Sequence, residues 1–246
     1  MDRSLYVGMT GATQIMQAQA VLAQNLANVS TPGFRADLHA LSAVPIVGPG
    51  FATRVNAVAN TSGFSSETGS VAQTGARLDV AVMGSGWLAV QARDGTEAYT
   101  RAGDLRLTED GMLVTATGLP VLGDNGPITI PPADSLAIGS DGTITIVPQG
   151  TGAKGASAIA RLKLVNPPEP QLVKGLDGLI RTRDGQPAPA NAAVEVQQGA
   201  LESSNVNAPR ALVEMIELAR LFDMQTRLMS STDQNAATSQ KLLSAA

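Results

Sequence analysis

Residues 4–34 carry no charged side chain, yet their apolar residues are spread along the segment instead of gathered into one run. Leu5, Gly8, Ala12, Ile15, Gln19, Leu22, Leu26 and Val29 recur at alternating spacings of three and four. That is the period of a helix packing in a coiled-coil manner. The spacing predicts a helix from about Ser4 to Asn28, roughly 38 Å long at 1.5 Å per residue. It ends at Ser30-Thr31-Pro32-Gly33, because proline removes an amide donor and disfavours helix at the residue before it. A cleavable signal peptide needs a compact apolar run after a basic start, and a membrane span needs about 20 apolar residues. The longest clear run is Ala20-Val21-Leu22-Ala23, so neither is expected, and no direct membrane insertion follows.

The other end repeats the pattern. Leu212, Met215, Ala219, Phe222, Thr226 and Met229 share the spacing, and Asp233, Ala236, Gln240 and Leu243 continue it less apolarly. Asn207 is placed to cap this helix, with Pro209 in the first turn, where proline is tolerated. Arg210 with Glu214 and Asp223 with Arg227 stand at i,i+4. Two such helices at the ends are most simply explained if they pair with each other or with neighbouring chains. Helices of this kind are marginal alone in water, which predicts that they gain order on association.

Between them the chain reads as β structure. Short Val- and Ile-rich runs are separated by Asp94-Gly95, Asp110-Gly111, Asn125-Gly126, Asp141-Gly142 and Asp184-Gly185, each a tight-turn signal. The expected fold is mixed and mainly β: a sandwich- or barrel-like body flanked by N- and C-terminal α-helices that pair in a coiled-coil-like manner. Residues 1–34 and 205–246 are expected to form a discontinuous helical domain, 35–77 an extended connector, and 78–204 the β body.

Composition narrows the function. A net charge of −4 with no basic cluster gives no field to attract nucleic acid. The absence of cysteine excludes thiolate metal sites, disulfides and cysteine nucleophiles. Only 15% of residues are charged, a surface cheaper to desolvate against other subunits than one rich in Lys and Glu. His39 is the single histidine, so histidine metal clusters are impossible, and a triad would have to rest on it alone. Gly84-Ser85-Gly86 lacks the third glycine and the following helix of a dinucleotide loop. Asp104, Glu109, Asp110 and Asp124 fall at turn positions without calcium-loop spacing. No catalytic, cofactor or metal site is expected.

One stretch is more specific. Asn25-Leu26-Ala27-Asn28-Val29-Ser30-Thr31-Pro32-Gly33-Phe34-Arg35 resembles the signature box of the bacterial flagellar basal-body rod and hook proteins. Leu78-Asp79-Val80-Ala81-Val82 with Gly84, Gly86 and Trp87 resembles the family's first body strands. Tyr99-Thr100-Arg101-Ala102-Gly103-Asp104 is similar to its next hairpin. Gln198-Gly199-Ala200-Leu201-Glu202-Ser203-Ser204-Asn205-Val206-Asn207 is similar to the segment that introduces its C-terminal helix.

The resemblance implies a structural subunit of the rod, the shaft carrying torque across the periplasm, with paired terminal helices inside and the β body outside. Its assembly motif would be Asn25, Leu26, Ala27, Asn28, Thr31, Pro32, Gly33 and Phe34, with Leu201, Glu202, Ser204, Asn205, Val206 and Asn207. Its helix seam would be Leu5, Ala12, Ile15, Leu22, Leu26, Leu212, Met215, Ala219, Phe222 and Met229. Implied partners are other rod proteins, proximal and distal, copies of the chain itself and the flagellar type III export apparatus. Met9-Thr10-Gly11-Ala12-Thr13-Gln14, Phe34-Arg35-Ala36-Asp37-Leu38 and Val55 after Thr53-Arg54 are most similar to the proximal-rod branch. The alternatives are the distal-rod branch, a non-flagellar β-rich adhesin, and a hydrolase using His39.

Overall fold

The computed structural model describes residues 3–45, 55–150 and 155–244. It divides into two compact units. One comprises Met1–Asn28, Asp37–Gly63 and Val206–Ala246, the other Val29–Ala36 and Phe64–Asn205.

The first unit is built on α1 (Arg3–Ala27), a two-stranded ribbon of β1 (Asp37–Pro45) and β2 (Val55–Phe64), and α2 (Ala208–Ser244) at the end of the chain. The helices pack together around Ala18, Leu22 and Leu218, with Ile15 and Met215 against them. Gly8 brings the pair close: a Cβ there would stand 2.9 Å from Met229 Cγ. Gln225 Nε2 donates to the Gly8 carbonyl at 3.1 Å. Asn207 caps α2 as its position predicts, Oδ1 accepting from the Arg210 N–H at 3.0 Å.

The seam differs in part from the sequence pattern. Ala12 and Leu22 are buried, and Leu5, Ile15, Leu26, Met215, Phe222 and Met229 are half-buried, but Leu212 and Ala219 are exposed. Ala211 and Leu218, one residue earlier, hold the buried positions. In α1, Ala18 is buried where the pattern has Gln19, and Val29 lies beyond the helix, exposed. The cause is that the apolar residues of α2 run on both sides of Met215 and Phe222. Met215 and Phe222 fit a stripe through Leu212 and Ala219 or one through Ala211 and Leu218, and only packing chooses between them.

Residues 35–77 are not one extended connector. Residues 37–63 go with the helices, largely as the β1–β2 ribbon, while the segments on either side belong to the β body. Ribbon and body contacts give these backbone groups partners that an extended connector would leave to water. The pattern's Thr53-Arg54 lies outside the described residues.

The second unit carries β3 (Val71–Gln73), β4 (Val80–Met83), β5 (Trp87–Gln91), β6 (Glu97–Thr100), β7 (Leu105–Leu107), β8 (Leu113–Thr115), β9 (Leu122–Gly123) and β10 (Gly126–Pro127). They are followed by β11 (Ala133–Ile138), β12 (Thr143–Pro148), β13 (Ser157–Arg161), β14 (Leu164–Val165), β15 (Leu172–Lys174), β16 (Ile180–Thr182), β17 (Glu195–Gln198) and β18 (Ala200–Glu202). The largest sheet runs β14-β5-β6-β16-β15, joined by β11-β12-β13 and by the pairs β17-β4, β18-β3, β7-β8 and β10-β9. Strand β5 is buried on both faces: Leu88 and Val90 enter one core with Leu113, Val121 and Ile144, and Trp87 and Ala89 enter a second with Phe64, Tyr99 and Ile180. The glycine of each predicted Asx-Gly turn has positive φ. Gly84-Ser85-Gly86 is the turn between β4 and β5, and half-buried His39 lies on β1.

Leu22 carries much of a small helix core, so Leu22→Ala should cost the helix pair about 2–3 kcal/mol. Melting followed by circular dichroism at the helix signal should show the loss, with the transition of Trp87 fluorescence in the β body unchanged.

Candidate functional site

The box does not simply end a helix. Asn28 closes α1, donating from its backbone and its side chain to the Gln24 carbonyl. Before it, buried Asn25 exchanges two 2.9 Å hydrogen bonds with the backbone of Asp37, fixing the start of β1. Leu26 is half-buried and Ala27 exposed.

From Val29 the box belongs to the β body. Thr31 accepts from the Phe34 N–H at 3.3 Å, with Pro32 and positive-φ Gly33 between them, the sequence and geometry of a type II turn. The Gly33 N–H donates to the Glu202 carbonyl at 2.7 Å. A Cβ on Gly33 would stand 2.2 Å from the Arg101 carbonyl carbon, so only glycine permits this approach. Lys174 on β15 holds the next residues: Nζ donates to the Arg35 carbonyl at 2.7 Å and lies 4.2 Å from the centre of the Phe34 ring.

Beyond the turn, Arg35 points into the body and meets Glu202 from the end of β18. Their side chains are 2% and 1% exposed, with Nη1 and Oε1 2.8 Å apart. The other carboxylate oxygen accepts from Arg101 Nη1, also at 2.8 Å, and Oε1 accepts the Gly69 N–H at 2.8 Å. Gly69 is close-packed, since a Cβ would lie 1.9 Å from the Ser203 carbonyl. Arg101 also donates to the carbonyls of Val82 and Gly84. Both guanidinium groups lie over Trp87, at 5.6 and 5.4 Å from the ring centre, and Phe64 meets that ring edge-on at 5.9 Å.

Two cations and one anion leave the cluster with one excess buried positive charge. Burial lowers the Arg101 pKa from its ordinary value; the Glu202 charge opposes the shift and the Arg35 charge adds to it. Arg35 Nη1 sits at ion-pair distance but off the angle of a hydrogen bond, and Arg35 Nε and Nη2 and Arg101 Nε have no acceptor among the described residues. The Trp87 ring is what faces the excess charge: its negative face attracts a desolvated cation by up to about 2 kcal/mol.

The C-terminal motif completes the site. Leu201 pairs through its backbone with Ala72 on β3, and Asn205 bonds to the backbone of two segments, at Phe34 and Ala36 and at Ser65 and Glu67. Ser204 and Val206 lie half-buried on either side of it, and Asn207 belongs to the helix cap. The motif therefore falls into two groups. Gly33, Phe34, Glu202 and Asn205 come together in the β body, whereas Asn25, Leu26, Asn28 and Asn207 act at the helix ends in the other unit. Arg35, Arg101, Trp87 and Gly69 complete the cluster without having been marked as site residues. Arginines in an apolar stretch opposite a lone Glu202 are the available sequence signal, but nothing local pairs residues so far apart. Among the described residues there is no group of three or more His, Asp or Glu able to hold a metal ion, and no helix is long and apolar enough to cross a membrane.

The same three regions match family models: Flagella basal body rod protein over residues 5–35, Flagellar hook protein FlgE/F/G D1 domain over 81–146, and Flagellar basal body rod FlgEFG protein C-terminal over 197–242. The chain is 43% identical to the flagellar basal-body rod protein FlgF of Escherichia coli and 41% identical to that of Salmonella typhimurium, covering 99% of both chains in each case. The chain belongs to the FlgF family of flagellar basal-body rod proteins. It is 31% identical to a Buchnera aphidicola rod protein FlgG over 94% of this chain and 96% of that one. As a member of the FlgF family it is a structural protein and not an enzyme.

Glu202→Gln keeps the shape and removes the only negative charge, leaving two guanidinium groups buried together. The β body should lose about 3–5 kcal/mol. Denaturant unfolding followed by Trp87 fluorescence measures it, and a loss below about 1 kcal/mol would mean that the carboxylate charge matters little.

Proposed function

We propose that this FlgF-family chain is a structural subunit of the proximal rod, assembling with copies of itself and with other proximal and distal rod proteins into the shaft that transmits torque across the periplasm. The observation that carries the reading is the second apolar side of α2. With Met215 and Leu218 packed against α1 and Ala211 buried, the helix still exposes Leu212, Val213, Ile216, Leu221, Met224 and Leu228, while α1 exposes Tyr6, Met9 and Met16. An apolar surface of this extent marks an interaction site. α1, charge-free from Ser4 onward, suits a crowded layer, where an unpaired charge would be costly to bury. One head-to-tail contact repeated around a helical path gives a filament instead of a closed ring.

The 43% and 41% identity to the FlgF proteins of Escherichia coli and Salmonella typhimurium, above the 31% to a Buchnera aphidicola FlgG, supports the proximal over the distal rod. Export through the flagellar type III apparatus without a cleaved signal peptide belongs to the same reading. It is supported by apolar residues spaced for helix packing instead of clustered behind a basic start.

An in-frame deletion in the native host, with isolated basal bodies imaged by electron microscopy, should leave rods that stop short, without hook or filament, and non-motile cells. Complete flagella on swimming cells would contradict the proposal. Gly33→Val, whose side chain has no room against the Arg101 backbone, should lower the melting temperature of the β body by more than a few degrees and prevent rod completion. A β body that melts as in the parent would contradict the docking of the box.

A further inference from the structure

A cavity of about 360 Å³ lies in the β body beside the buried cluster, with Arg101 and Trp87 in its wall and Ser66, Ser85 and Asn166 around them. Ser85 and Gly86 of the β4–β5 turn form one side, and the carbonyl of Gly84 in the same turn accepts from Arg101 Nη2. The turn that has no helix behind it to cradle a phosphate therefore sits on an arginine instead.

That arginine has donors to spare. Of its five N–H groups, Nη1 uses two on Glu202 and the Val82 carbonyl, and Nη2 uses one on the Gly84 carbonyl. Nε has no acceptor among the described residues, and Nη2 keeps a second hydrogen. Nε and Nη2 are neighbours on one edge of a planar fork, the edge that takes a carboxylate or phosphate through two parallel hydrogen bonds. The Arg101 side chain is 2% exposed, and with Arg35 beside it the cluster stands one positive charge ahead of Glu202. Neutral donors stand at the exposed rim. Asn166 Nδ2 donates to Ser85 Oγ at 3.3 Å, which leaves the Ser85 hydroxyl proton and the second Asn166 amide proton for a ligand. Glu169 is the one carboxylate in the wall, and it is exposed. An exposed carboxylate gains little from pairing, because ordering the side chain offsets the attraction.

We propose that this cavity binds a small oxyanion of the carboxylate or phosphate class, held by Arg101 at its floor and by Ser85 and Asn166 at its rim. The ligand supplies the countercharge that the cluster lacks and an acceptor for N–H groups that have none. A buried cation without a partner is costly, so the ligand also stabilises the folded body by mass action. None of this depends on the rod reading above.

Trp87 is the only tryptophan of the chain and lies in the cavity wall, so its fluorescence reports the site. On the purified full chain, inorganic phosphate and, separately, acetate replace chloride at constant ionic strength. At least one of the two should shift the Trp87 emission along a saturating curve and raise the melting temperature of the β body. Ser85→Ala and Asn166→Ala, both exposed and outside the cores, should each weaken that binding by about tenfold, the loss of one hydrogen bond to a charged group. Glu169→Gln should tighten it by removing a like charge from the wall. Asn125→Ala, in the β9–β10 turn and not in this wall, should bind as the parent does. The proposal is overturned if neither anion saturates, if Ser85→Ala, Asn166→Ala or Glu169→Gln binds as the parent does, or if Asn125→Ala weakens binding as much as the rim variants do.

Discussion

The Glu202 carboxylate lies between two guanidinium groups against the face of Trp87, and the docking of the box depends on it. A buried ion pair is weak evidence for stability on its own, because desolvation offsets much of the attraction. Its value here lies in specificity. Arg35 has a buried counterion only where Glu202 and Trp87 are already in place, so the box seats in one register or leaves a charge without a partner. Gly33, which admits no side chain against Arg101, and Phe34 under Lys174 enforce the same register sterically.

The β core supplies the frame. Strand β5 places Trp87 on one face and Leu88 on the other, while β6 leads into Arg101 and β18 ends on Glu202. Segments distant in sequence meet because antiparallel neighbours bring their ends together, and the box is added to a body whose cores are otherwise aliphatic and aromatic. The helical unit follows a different logic, with a narrow internal seam and wide outward apolar faces. Such faces suit association, and the FlgF family is one of rod subunits.

Much of this was legible before any coordinates. The helical periods, the cap at Asn207 and the Asx-Gly turns are local signals, set by three- and four-residue spacing or by the tolerance of glycine for positive φ, and the structure has them where the pattern puts them. The choice between Leu212 and Ala211 for the seam was not legible, because the apolar residues of α2 run on both sides of Met215 and Phe222 and the partner helix decides. Nor was the division of residues 35–77, since a ribbon and a connector share the same Gly-, Ser- and Val-rich composition. At the site, Gly33, Glu202 and Asn205 stood out through the family resemblance. Arg35 and Arg101 lie within the resembling stretches, but their role was not legible, because the burial that gives an arginine its role is a tertiary property, arising here from contacts 101 and more residues apart in the chain.

The central claim, that the box is an integral part of the β body, is tested most directly by native-state hydrogen exchange at Gly33 and Ala36, whose N–H groups donate to Glu202 and Asn205. Both amides should exchange only through global unfolding of the body, with the same opening free energy as Ala89 and Val121 in its cores. Exchange at Gly33 and Ala36 as fast as at the exposed turn glycine Gly118, with Ala89 still protected, would show that the box is only loosely attached and would contradict the account.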